Sequence, residues 1–93
     1  MLVTTTVTNS AFAEYVEAFQ LWVQSVGGAV FAKDMDSTTV EGNGGKLAVI
    51  IEFPSKEDAI EAYNSFEYQE LSKLRWANST DNNITIMHAA ITH

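Results

Sequence analysis

One short segment constrains the fold of this chain more than any other. Residues 46–53 (KLAVIIEF) form an almost unbroken apolar run, which follows the turn sequence 41–45 (EGNGG) and ends at Pro54. Such a run is typical of a β-strand that is buried on both faces. The chain must therefore provide, or recruit, a covering layer on each side of that strand.

Three further segments have the pattern of strands. Residues 2–8 (LVTTTVT) and 29–35 (AVFAKDM) are rich in β-branched and apolar residues, and 83–91 (NITIMHAAI) alternates in the same way. Residues 77–83 (ANSTDNN) carry the small polar side chains of a turn and precede the last of these strands. The sequence therefore predicts four strands.

Two helices are predicted between these strands. The first has apolar residues at helical spacing, is capped by Asn9 or Ser10, and stops at the glycine pair 27–28. The second begins at Ser55, which opens a capping-box-like sequence. It is interrupted at 64–65, where the serine can cap a further short helix.

The resulting order, β-α-β-β-α-β, defines the fold class. We predict one α+β domain over residues 1–93: a ferredoxin-like, four-stranded antiparallel sheet with both helices on one face. Ala48 and Ile50 would then place apolar side chains on the opposite face. A homodimer that pairs two sheets face to face would cover them, because a two-fold interface uses the same patch twice. We therefore expect a homodimer.

The composition excludes several classes of function. Twelve acidic and five basic residues give a formal charge of −7, which repels a phosphate backbone and argues against nucleic-acid binding. The absence of cysteine excludes disulfides and thiolate metal sites. The longest apolar stretch, 47–51, is too short to cross a membrane, and no targeting signal follows Met1. We expect a cytoplasmic protein with no membrane partner.

Residues 49–75 carry a resemblance to a known family. Together with the glycine pair 27–28 and the step 41–42, this segment resembles domain of unknown function family 1330, in the dimeric α/β-barrel superfamily. The most specific parts are 52–55 (EFPS) and 62–69 (AYNSFEYQ). The resemblance implies a ferredoxin-like fold that dimerises through its sheets into a barrel, and it supplies no settled reaction. Superfamily members that degrade haem or act as cofactor-independent oxygenases offer an analogy of fold alone.

An aromatic cluster precedes the single arginine of the chain. Tyr63, Phe66 and Tyr68 flank the predicted helix break, and Arg75 follows one helical segment later. A kink at the break would direct some of these rings toward a pocket, where Arg75 would hold a carboxylate or enolate through its planar fork. In the alternative, the rings pack the helices on the sheet, and Arg75 pairs with a glutamate or with the helix C-terminus.

Two residues are candidate catalytic groups for moving a proton. Glu52 lies on the strand face opposite Val49 and Ile51, so it points into a dimeric barrel if those residues meet the helices. A partly desolvated carboxylate there would suit a general base, whereas a solvated strand end or a salt bridge is the alternative. His88, in the predicted fourth strand, suits a base or a proton shuttle, or else is a hydrogen-bonded structural histidine.

Trp22 completes the set of candidate ligand-binding residues, either as a pocket wall or as part of the core. No metal site is predicted, because one strand histidine and the common pattern at 34–36 (DMD) do not form a ligand set. No cofactor is predicted either, since the glycine-rich 41–45 lacks the helix that follows a phosphate-binding loop.

These patterns support two hypotheses of function. In the first, a cavity between sheet and helices binds a small organic acid or aromatic metabolite, with cofactor-free proton-transfer or oxygenase-like chemistry. Arg75 would hold the anion, Glu52 or His88 would move the proton, and Tyr63 and Tyr68 would line the wall. In the second, the protein is a non-catalytic homodimeric interaction module with a filled interior. A cavity lined by convergent polar groups distinguishes the two.

Overall fold

The computed structural model describes residues 1–87. The elements are β1 (Leu2–Val7), α1 (Phe12–Ser25), β2 (Ala29–Asp34), β3 (Leu47–Glu52), α2 (Lys56–Tyr63), α3 (Phe66–Ala77) and β4 (Ser79–Thr85). The strands of this part of the chain form one sheet in the order β2-β3-β1-β4, and all neighbouring strands are antiparallel. The predicted ferredoxin-like α+β fold is confirmed, with the second helix divided into α2 and α3.

The division between α2 and α3 follows from a single serine, as the sequence predicted. The Ser65 hydroxyl oxygen accepts a hydrogen bond from the backbone N–H of Tyr68 at 3.3 Å and thereby caps α3. The same hydroxyl donates to the carbonyl oxygen of Ala62 at 2.7 Å, at the end of α2. Ser55 caps α2 in the expected way, through the N–H of Asp58.

The start of α1 differs from the prediction. The helix begins at Phe12 with Ala11 in the capping position, and neither expected residue caps it through its side chain. Asn9 instead accepts a hydrogen bond from the N–H of Ala11 and stabilises the turn that precedes the helix. At the other end, Gly27 takes a φ of +76°, which lets the chain leave the helix in a left-handed conformation.

The core lies between the helices and one face of the sheet. Val3 of β1 and alternate residues of β3 face the helices and are buried. The buried side chains of α1 recur every three or four residues and are mostly aromatic: Phe12, Tyr15, Phe19, Trp22 and Val23. Successive rings of this row lie with centroids 5.1 to 5.6 Å apart. The helix-covered face is therefore the packed side of the domain.

The opposite face of the sheet, called here the open face, carries no helix in the described part of the chain. Leu2 of β1 lies opposite Ile50 of β3 in the register, and both side chains are partly exposed. Phe31 sits at a bulge of β2 and is 71% exposed, and Met87 is 63% exposed. Large apolar side chains thus remain in contact with solvent.

The fourth strand begins earlier than the sequence predicted. Residues 77–83 were expected to form a turn before a strand at 83–91, whereas β4 starts at Ser79. Its pairing with β1 shifts between Thr4 and Thr6, and Asp81 takes a φ of +54° at the irregularity. The turn-like residues therefore form a bulged strand, and part of the predicted strand, 88–91, lies outside the described residues.

Candidate functional site

A pair of buried tyrosines joins the first and third helices. The hydroxyl oxygens of Tyr15 on α1 and Tyr68 on α3 lie 3.0 Å apart, and their residues are 4% and 0% exposed. Burial, the neighbouring Tyr68 and the hydrogen bond to it raise the pKa of Tyr15 far above its ordinary value. Burial also raises the pKa of Tyr68, against the opposing effects of the Tyr15 hydrogen bond and the Arg75 charge. Both phenols are therefore neutral hydrogen-bonding groups at physiological pH.

Arg75 lies beside this pair and is 2% exposed. Its Nη1 donates a hydrogen bond to Oδ1 of Asn82 at 2.8 Å, whereas its buried Nε has no hydrogen-bond partner among residues 1–87. In the same range no carboxylate comes within 4 Å of the guanidinium. Glu67 and Glu70 were the glutamates expected as alternative partners, and Glu70 pairs instead with Lys73. Within the described residues, the positive charge of Arg75 is thus buried without a carboxylate to balance it.

Asn82 is the centre of the polar cluster around Arg75. Its Oδ1 also lies 2.9 Å from the hydroxyl of Thr5 on β1 and 3.2 Å from the hydroxyl of Ser79 on β4. The Ser79 hydroxyl donates to the backbone carbonyl of Arg75 as well. The cluster of Thr5, Arg75, Ser79 and Asn82, called here the Arg75 cluster, links α3 to two strands, and the bulge at Asp81 brings Asn82 to it.

Aromatic rings surround Tyr68 on its other sides. The ring centroid of Trp22 lies 4.5 Å from that of Tyr68, and the Tyr63 centroid lies 5.3 Å from it. The indole N–H of Trp22 is buried and has no hydrogen-bond partner in the part of the chain that the structure describes. Four residues that the sequence singled out, Trp22, Tyr63, Tyr68 and Arg75, therefore lie together in the fold.

A small cavity lies on the helix-covered side of the sheet, and none of these four residues lines it. It has a volume of about 60 Å³, lies between α1 and strands β1 to β3, and is called here the α1 cavity. Thr5 of the Arg75 cluster and Tyr15 of the tyrosine pair both line it, together with apolar side chains. The exposed residues Gln20 and Lys33 also line it, so the cavity reaches the surface. No aspartate or glutamate contributes to its lining.

Glu52 does not belong to this site. It alternates with the buried Ile51, is exposed, and lies on the open face, across the sheet from Arg75. The expectation that these two charged residues share one cavity is therefore wrong, because strand alternation separates them. His88 lies outside the described residues.

Sequence reasoning missed Tyr15, Thr5 and Asn82. Tyr15 stands in the regular spacing of buried residues along α1, and no local pattern sets it apart from the core. Alternation places Thr5 on the helix-covered face with Val3, but it does not indicate which residues its hydroxyl contacts. Asn82 lay within the predicted turn, and only the bulge of β4 reveals its role.

Two structural absences hold for residues 1–87. None of the helices there has the length and apolar character needed to cross a bilayer. Within the same range, no three histidine, aspartate or glutamate side chains come together as metal ligands.

The fold and the site define a small α+β protein of the ferredoxin-like type, with a polar cluster buried beneath its helices. The chain belongs to the family described as a domain of unknown function, DUF1330, whose model matches residues 1–90. The resemblance detected in the sequence is thereby confirmed. The chain is also similar to the crystal structure of a protein of unknown function from Rhodopseudomonas palustris, with 18% identity and a TM-score of 0.70. That similarity covers 98% of this chain and 81% of the other, and it shows the fold alone. No curated protein matches.

Proposed function

We propose that this protein binds a small organic acid in the α1 cavity, with the charge of Arg75 balancing the carboxylate. One observation carries the proposal: a guanidinium that is 2% exposed has an unpaired Nε and no carboxylate within 4 Å among residues 1–87. A buried charge is unfavourable unless it is paired. An anionic ligand would supply the missing partner.

Unpaired donors favour an acceptor-rich ligand. Nε of Arg75 and Nε1 of Trp22 are both buried without partners among residues 1–87, and both side chains neighbour Tyr68. Buried N–H groups are nearly always hydrogen-bonded, to protein, water or ligand. A carboxylate offers two oxygens that only accept hydrogen bonds, so it suits a region whose spare groups are donors.

The charge at the entrance favours the same class of ligand. Among residues 1–87, Lys33 is the one charged residue in the lining of the α1 cavity, in a chain that has twelve acidic residues and five basic ones. An anion would therefore meet a locally positive entrance on a protein whose net charge repels it elsewhere. Thr5 and Tyr15, which line the cavity, link it to the Arg75 cluster and to the tyrosine pair, and this supports binding of the acid at their end of the cavity.

Binding is better supported than catalysis. Glu52, one of the two predicted proton-transfer residues, lies on the open face, and the role predicted for His88, which lies outside residues 1–87, stays a prediction. Tyr15 and Tyr68 are held neutral by burial, which suits hydrogen-bond donation to a carboxylate or enolate oxygen rather than proton abstraction. A proton-transfer reaction at the site stays a prediction, as does the cytoplasmic location.

Two adjacent threonines provide a matched test. Thr5→Val removes a hydroxyl from the cavity wall, whereas Thr4→Val makes the same change on the open face. Titration calorimetry with propanoate, butanoate and benzoate should show binding of at least one acid, weakened about tenfold by Thr5→Val and unchanged by Thr4→Val. Absence of binding by all three acids, or equal losses in the two variants, would contradict the proposal.

A second function, homodimerisation as an interaction module, is favoured by the open face. Leu2, Phe31, Ile50 and Met87 expose apolar surface on or beside that face, and a second copy would cover it with the same residues. Sedimentation should find a dimer that Ile50→Lys dissociates. Leu21→Lys, at an exposed site on α1, is the control and should leave the dimer intact. A monomeric wild-type protein would exclude this function.

A further inference from the structure

A second concave surface lies at the end of β3 that is farther from the turn at residues 41–45. It runs from the end of that strand to the start of α2, has a volume of about 450 Å³, and is called here the β3–α2 groove. Its wall is largely apolar and includes Phe31, Ile50, Phe53 and Met87. Its lining shares no residue with that of the α1 cavity. Its size falls in the range of small-molecule sites, which are mostly apolar with a few placed polar groups.

Two opposite charges border this groove. Glu52 closes β3 and Lys56 opens α2, with Pro54 and Ser55 turning the chain between them. Within residues 1–87, neither side chain forms an ion pair, either with the other or with a different residue. The carboxylate of Glu52 and the ammonium of Lys56 therefore both line the groove, and they do not neutralise each other. The first can contact an ammonium group of a ligand, and the second can contact a carboxylate.

We propose that the β3–α2 groove binds a zwitterionic α-amino acid with an apolar side chain. The ligand's ammonium would contact Glu52, its carboxylate would contact Lys56, and its side chain would lie against Phe31, Ile50 and Met87. Charge complementarity selects this class, because an apolar acid or an apolar amine satisfies only one of the two protein charges. Glu52 thereby gains a ligand-binding role at a site separate from Arg75.

L-Phenylalanine is the probe, and calorimetry on the full chain is the measurement. Its binding should be saturable and about tenfold or more tighter than that of 2-phenylethylamine or 3-phenylpropanoate, each of which lacks one charged group. The binding of 3-phenylpropanoate is also measured in Thr5→Val, so that any binding of this acid in the α1 cavity is recognised. Equal affinity for all three compounds would overturn the proposal.

Charge-removing variants locate the binding. Glu52→Gln and Lys56→Gln should each weaken phenylalanine binding about tenfold. Glu57→Gln, on the same turn of α2 but outside the groove lining, is the matched control and should leave the affinity unchanged. These three residues are exposed or partly exposed, so folding is preserved. The proposal is overturned if phenylalanine does not bind the wild-type chain saturably, including the case in which a second copy of the chain fills the groove. It is also overturned if Glu57→Gln weakens binding as much as the other two substitutions do.

Discussion

The hydroxyl oxygens of Tyr15 and Tyr68 lie 3.0 Å apart, although the two residues are separated by 53 positions in the sequence. The pair connects α1 to α3: Tyr15 lines the α1 cavity, and Tyr68 lies within reach of the Arg75 charge. Each hydroxyl satisfies the other in a region that water does not reach freely. The relationship between these two residues therefore affects both the stability of the fold and the chemistry of the proposed site.

Removal of the hydroxyl from either tyrosine should lower the free energy of unfolding, and removal of both should lower it by less than twice as much. Tyr15→Phe or Tyr68→Phe leaves a buried hydroxyl without this partner, which should lower the free energy of unfolding by about 1–3 kcal/mol. The double variant should lose less than the sum of the two single losses, because no stranded hydroxyl remains. Urea unfolding of the four proteins measures the coupling, and strictly additive losses would contradict a direct bond between the hydroxyls.

The same pair predicts a response to alkaline pH. Folding raises the pKa of both phenols above the unfolded value of 10, so the folded chain holds these protons more tightly. The stability that arises from this difference is complete below pH 10 and is lost as pH rises above it. Tyr15→Phe should show a shallower decline of the urea midpoint above that pH than the wild type. If the urea midpoints of the two proteins fall in parallel above pH 10, the tyrosine pair is not the origin of the alkaline loss of stability.

Arg75→Met should change stability little in the ligand-free protein. The substitution removes a buried charge that has no carboxylate partner within residues 1–87, and Oδ1 of Asn82 keeps its contacts with Thr5 and Ser79. Apolar replacement of such a charge is often neutral or stabilising, so the free energy of unfolding should stay within about 1 kcal/mol of the wild type or exceed it. Thermal and urea unfolding test this. A loss of several kcal/mol would mean that Arg75 is mainly a structural residue.

Ser65 and Ser10 form a matched pair for helix capping. Ser65→Ala should lower the free energy of unfolding by about 1–2 kcal/mol, because its hydroxyl caps α3 and bonds to the end of α2. Ser10→Ala should have an effect of at most a few tenths of a kcal/mol, because α1 has no side-chain cap. Urea unfolding compares the two, and an equal loss at Ser10 would show that it caps α1.

The elements that local patterns determine were largely predictable from the sequence. The apolar run of β3 and the serine that divides α2 from α3 act over a few residues, so their roles are visible in the sequence. Alternation also separated Glu52 correctly from Ile51. What alternation does not determine is which face carries the site, and here the expected partnership of Glu52 with Arg75 failed.

The rest of the site depends on contacts between distant parts of the chain. Thr5 and Asn82 are 77 positions apart, and they meet because β4 pairs with β1 through a bulge. Asp81 takes a positive φ at that bulge, and the small polar residues around it are those of a turn. For this reason the start of β4 was predicted too late in the sequence. Register and bulges are properties of the assembled sheet, so single-segment patterns do not determine them.

The most direct test of the central claim is a calorimetric comparison of propanoate with propanamide, which share an ethyl group and differ in charge. If the guanidinium of Arg75, which has no carboxylate partner among residues 1–87, balances a bound carboxylate, propanoate should bind the wild-type protein at least about tenfold more tightly than propanamide, and Arg75→Met should abolish this preference. Lys73→Met, an exposed site on the same helix, should retain it. Equal binding of the two compounds, or a propanoate preference that survives Arg75→Met, would contradict the account.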